Sequence, residues 1–104
     1  MQFDDLQKRA LEIRAKYDEI NAQQGRELWN EQNYMAGFVG DVGDLSKLVM
    51  AKHGLRPIED VDTKLAHELS DCLWSLLVLA DKYSINLPVE FMKNMDGLEK
   101  RISQ

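Results

Sequence analysis

Only two prolines, Pro57 and Pro88, interrupt this chain of 104 residues, and around them the apolar residues keep the step of a helix rather than that of a strand. In the first block, from about Asp4 to Asn21, Leu6, Ala10, Ile13, Tyr17 and Ile20 recur at three- and four-residue spacing. Gly25 is a natural stop after it. The second block runs from about Glu27 to Lys52 and closes at His53-Gly54. Phe38, Val42, Leu45, Leu48 and Val49 form its stripe. Gly37, Gly40 and Gly43 lie inside this block, and each costs a helix about 1 kcal/mol against alanine. The stripe continues through them, so a helix is expected, with the glycines leaving room for a close neighbour.

A loop around Pro57 follows, with Asp60 or Asp62 as the N-cap of a third helix reaching about Tyr83. That helix turns apolar nearly all round from Cys72 to Ala80, as a central buried helix does. Pro88 suits the first turn of a fourth helix carrying Val89, Met92, Met95, Leu98 and Ile102. Nothing alternates in the manner of a strand, and nothing repeats. The expectation is one all-α domain over residues 1–104, a four-helix antiparallel bundle.

Charge and composition narrow the partners. A net charge of −5 leaves no basic face for a long nucleic-acid backbone, which needs clustered Lys and Arg. A single phosphorylated ligand bridged by a metal is compatible, because the cation supplies the positive charge. One cysteine, Cys72, excludes an internal disulfide and a cysteine-based zinc site. It sits in an apolar run and reads as a buried, inert thiol. The N-terminal residues lack the pattern of a signal peptide, and the apolar run from Leu76 to Ala80 is far too short to span a bilayer. A cytoplasmic protein without membrane contact is expected.

Two acidic pairs carry the chemistry. Asp41 and Asp44 lie three apart in the second helix, Glu68 and Asp71 three apart in the third, so each pair shares one helical face. Both pairs are interleaved with or lead into apolar segments, where carboxylates are costly unless paired or bound to metal. Four acids from two facing helices make an oxygen cluster suited to a hard cation. The plainer reading of such pairs is a solvated helix face balanced by lysines, and Lys47, Lys64 and Lys82 are placed for that.

The full strings favour the cluster. Val39-Gly40-Asp41-Val42-Gly43-Asp44-Leu45 resembles the V-G-E-V-G-E-L segment of the MazG-like all-α nucleoside triphosphate pyrophosphohydrolases, close to the dCTP pyrophosphatase branch. His67-Glu68-Leu69-Ser70-Asp71-Cys72-Leu73 resembles their later E-L-S-D-V-L segment, and Ile85-Asn86-Leu87-Pro88 resembles the start of their last helix. The likeness covers roughly Leu28 to Arg101. It implies hydrolysis of a (d)NTP to the monophosphate and pyrophosphate, with Mg²⁺, or alternatively Mn²⁺, held by Asp41, Asp44, Glu68 and Asp71. One of the first pair has the alternative role of base. It also implies a homodimer or homotetramer with sites near the interface. Trp29 loosely matches a tryptophan that stacks on the base, and Asn94 and Arg101 are the substrate-binding positions of the last helix.

The sequence departs from that pattern. Both glutamates of the first motif are aspartates here, and positions of the last helix that offer lysine and asparagine to phosphates are Asn94 and Leu98. These departures admit two other expectations: a degenerate module that binds metal and nucleotide without turnover, and a purely structural, self-associating helical protein.

Overall fold

In a computed structural model, which describes residues 1–103, the chain forms four helices. They are α1 (Phe3–Gln23), α2 (Glu31–Lys52), α3 (Val61–Lys82) and α4 (Leu87–Ile102). No strand occurs among the described residues. The all-α expectation holds, and α2 runs unbroken through Gly37, Gly40 and Gly43.

Helix ends follow their local chemistry. The α2 helix begins at Glu31, not near Glu27, because Asn30 and Asn33 form a reciprocal cap: the Asn30 side chain accepts from the Asn33 N–H at 3.0 Å, and the Asn33 side chain accepts from the Asn30 N–H at 2.9 Å. Asp60 is the N-cap position of α3, as expected, but its side chain caps nothing, since its backbone is left-handed at φ 58°. Asn86 caps α4 by accepting from Val89, and Pro88 sits in the first turn.

Helices α2 and α3 form the central pair. Lys52 and Asp62 meet at 2.6 Å beside the connection, and Asp44 meets Glu68 further along, so the two helices run antiparallel. The buried residues of this pair are Tyr34, Leu48 and Ala51 of α2 and Cys72, Ser75, Leu77, Val78 and Ala80 of α3, the last set spread around α3 because α1 packs on it as well. Helix α1 crosses α3 at a few strong points. The Trp74 indole N–H donates to the Ala10 carbonyl at 3.0 Å, and Arg14 donates to Asp81 at 2.8 Å. Tyr17 meets Trp74 with ring centroids 5.9 Å apart.

Helix α4 stands apart: it buries none of its residues. Within one chain, then, α1 and α2 pack on α3, and α4 leaves Val89, Met92 and Ile102 of its apolar stripe exposed, with Met95 and Leu98 half-buried. The radius of gyration is 16.7 Å, against about 13 Å for a compact domain of this length. No described helix is long and apolar enough to cross a membrane.

Candidate metal centre

The antiparallel register brings the two acidic pairs face to face. Asp41 and Asp44 from α2 and Glu68 from α3 each offer a carboxylate oxygen within 4.8 Å of the others. Asp71 stands beside them, its Oδ2 3.1 Å from His67 Nε2 one turn earlier on α3. The register explains the convergence. Three-residue spacing keeps each pair on one face, and opposite chain directions set Asp41 near Asp71 and Asp44 near Glu68.

The electrostatics are those of crowded, partly dry carboxylates. Burial pushes the Glu68 carboxyl above the ordinary range, and the charges of Asp41, Asp71 and Asp44 push it the same way. Burial likewise raises Asp41, reinforced by Asp71 and Asp44 and opposed by His67. Although Glu68 as a residue is only half-buried, its Oε2 atom is sealed from solvent and accepts no hydrogen bond. An ionised oxygen of that kind is costly to keep unless a cation or proton satisfies it. Cys72, buried just behind, has its thiol raised by burial and by the nearby Asp41, Glu68 and Asp71.

The donor set fits a hard divalent cation. All the donors are carboxylate oxygens, and an octahedral ion with bonds of about 2.1 Å sets its donors roughly 3–4 Å apart. Oxygens within 4.8 Å of one another reach that spacing by small side-chain rotations or through intervening water.

An open cleft of about 650 Å³ adjoins the acids, and Asp41 and Asp71 form part of its wall. That is within the usual range for small-molecule sites. Aromatic rings make up much of the remainder. Trp29 and Tyr34 meet edge to face at 5.3 Å, Tyr34 and Trp74 at 5.7 Å. Tyr17 and Asn21 contribute from α1, and Arg26 from the α1–α2 connection. Lys82 lies 5.4 Å over the Tyr34 ring, and burial followed by Asp18 raises the Tyr34 hydroxyl.

Asp41, Asp44 and Glu68 are thus brought together; Asp71 lies outside that three-acid group, paired with His67, and shares only the cleft wall with Asp41, while Trp29 also lines the cleft. Asn94 and Arg101 are not brought to it: both are exposed on α4 and neither lines the cleft. Trp74, within the apolar run from Cys72 to Ala80 expected to be buried, is half-buried and forms part of the cleft wall. Tyr17, Asn21, Arg26 and Ser70 also line the cleft, though the sequence marks none of them as a site residue. The charged and aromatic run Arg26-Glu27-Leu28-Trp29, lying between Gly25 and the Asn30 cap, was the available signal for that rim. No family model, curated protein or solved structure matches the chain.

Proposed function

We propose that this chain is a divalent-metal-dependent nucleotide pyrophosphohydrolase that cleaves a (d)NTP to its monophosphate and pyrophosphate. The observation that carries the proposal is the sealed, unpartnered Glu68 Oε2 within a three-carboxylate cluster that opens onto an aromatic cleft. The motif resemblance points the same way. Asp41, Asp44 and Glu68 hold the cation, Mg²⁺ by preference and Mn²⁺ as a substitute, with Asp71 completing the set. When bound, the cation supplies positive charge to the phosphate oxygens and acidity to water.

The chain's own residues do the rest. Trp29 and Trp74 offer faces and edges to a planar base, Tyr34 is buried behind them and holds both rings in place, and Asn21 and Arg26 offer the base hydrogen bonds. Water adds to the α-phosphorus, and the bond from that phosphorus to the bridging oxygen breaks. Pyrophosphate leaves with the bridging oxygen. Asp41 faces both the acids and the cleft, which places its carboxylate within reach of a water approaching from the cleft and suits it to take that water's proton.

Self-association is part of the proposal. The open apolar stripe of α4 and the large radius of gyration support a dimer or tetramer in which a second copy covers α4. The position of Asn94 and Arg101, exposed and away from the cleft, supports a second reading: a module that binds metal and nucleotide without turnover.

A pyrophosphate-release screen across the common NTPs and dNTPs, with Mg²⁺ and with Mn²⁺, tests the proposal. Turnover that disappears in Glu68→Gln is the expected result. Nucleotide binding with no turnover under any condition selects the non-catalytic module.

A further inference from the structure

A second, smaller pocket of about 260 Å³ lies between α2 and the α2–α3 connection, lined by Lys47, Met50, Arg56, Pro57 and Ile58. Its two cations are free: among the described residues neither Lys47 nor Arg56 is in an ion pair. This is notable in a chain of net charge −5, and more so because Lys47 follows Asp44 by three residues on the same helical face. The step from Asp44 to Lys47 rises about 4.5 Å along the helix, less than one turn, so the two positions are neighbours on α2. Along α2 the cleft is lined at Tyr34 and Asp41, the acids follow at Asp41 and Asp44, and the basic pocket at Lys47 is reached by turning about 120° around the helix from Asp41.

The backbone adds an independent observation. Arg56 has φ 52°, in the left-handed region, and directly precedes a proline, which favours extended backbone in its neighbour. Such a conformation is unfavourable for arginine and persists where the surroundings hold it, often at binding sites. Here the residue held in it lines the same pocket as Lys47. Met50, Pro57 and the half-buried Ile58 complete the wall of this exposed pocket beside the two cations.

We propose that Lys47 and Arg56 form a diphosphate-binding pocket that takes the β- and γ-phosphates of a nucleotide whose base lies in the aromatic cleft and whose α-phosphate lies over the acids. This rests on the nucleotide reading above and adds a direction to it: base toward Trp29, leaving pyrophosphate toward Arg56. It makes the site selective for triphosphates over monophosphates.

The test is calorimetric titration of the whole chain with inorganic pyrophosphate in Mg²⁺, for wild type, Lys47→Gln, Arg56→Gly and, as a matched loss of one surface charge, Lys8→Gln. Lys47→Gln and Arg56→Gly are each expected to weaken pyrophosphate about tenfold, as loss of a charge-assisted hydrogen bond does. Lys8→Gln leaves pyrophosphate affinity unchanged, and all four proteins bind a nucleoside monophosphate alike. Arg56→Gly also relieves the left-handed backbone, so its melting temperature stays at or above that of wild type, separating lost charge from lost fold. Pyrophosphate that binds all four proteins equally, or does not bind wild type, overturns the proposal. So does pyrophosphate that a nucleoside triphosphate fails to displace, which would assign the pocket to free polyphosphate. Failure of the nucleotide reading looks different: wild type then releases no pyrophosphate from any triphosphate, whatever the pyrophosphate affinities.

Discussion

The ring of Trp29 packs over Gly37 so closely that a β-carbon at position 37 would lie 3.3 Å from Cζ3. Glycine serves there for close contact and not for backbone freedom, since α2 is helical on both sides of it and a β-carbon would displace the ring by only a few tenths of an ångström. Gly37→Ala gains about 1 kcal/mol in helix propensity and loses some of it displacing the ring. Stability near wild type is expected, with shifted tryptophan emission. Nucleotide affinity should fall by up to about tenfold, the scale of one base–aromatic stack. Shifted emission with unchanged nucleotide affinity would remove Trp29 from base recognition.

Asp44→Asn and Glu68→Gln separate stability from function. Each removes one charge from the crowded cluster and nearly keeps shape. Thermal melts without metal should show stability held or raised. Mn²⁺ or Mg²⁺ titrations should show affinity sharply reduced, because a neutral amide is a poorer ligand for a hard cation. Solvated surface acids would instead give stability changes within about 0.5 kcal/mol and no change in metal binding.

The same crowding fixes the sign of a pH effect. Asp41 and Glu68 hold protons more tightly folded than unfolded. Their contribution to stability is therefore fully present below the ordinary carboxylate range and is lost as pH rises through their raised values. Urea unfolding with a chelator present should show the metal-free chain gaining stability from these two groups as pH falls from neutrality. Metal affinity should move the opposite way, since protons compete for the same oxygens. An Asp41→Asn, Glu68→Gln double variant should lose this part of the slope.

Burial and three neighbouring carboxylates both disfavour the Cys72 thiolate. A polar, anionic thiol reagent should label it only as the chain unfolds. Labelling at the rate of a free thiol in native buffer would show that the α2–α3 seam opens readily.

Sedimentation should give a mass above the 12.0 kDa of one chain at micromolar concentration. Met92→Lys, on the 61%-exposed side chain at the middle of α4, should shift the protein toward monomer. On a true monomer surface the same change would alter stability by no more than about 0.5 kcal/mol.

Much of this was legible in the sequence because helical periodicity and three-residue acid spacing are local. Asp41, Asp44 and Glu68 converge as their register implies. Periodicity does not say what covers a stripe. Tyr17 belongs to the apolar face of α1 yet is 54% exposed, since α1 touches α3 only in part and leaves that ring on the cleft. Trp74 sits in the most apolar run, and its indole N–H found a partner only on α1. The start of α2 was misplaced because Asn30 and Asn33 cap each other through side chains, a pairing that outweighs the helix propensity of Glu27 and Leu28.

The two halves of the site differ in how far along the chain they must reach. The acids belong to a hairpin: Asp44 and Glu68 are joined through the short connection at residues 53–60, so closing their loop costs little entropy. The aromatic half needs α1, whose Ala10 carbonyl receives Trp74 from 64 residues away. A chain emerging in order thus presents the α1 wall first but can fasten it only after α3 is made. The carboxylate half needs nothing beyond α2 and α3. A fragment beginning at Asn30 would keep Asp41, Asp44, Glu68 and Asp71 but lose Tyr17, Asn21, Arg26 and Trp29 from the cleft, so the aromatic wall is the half that depends on distant chain.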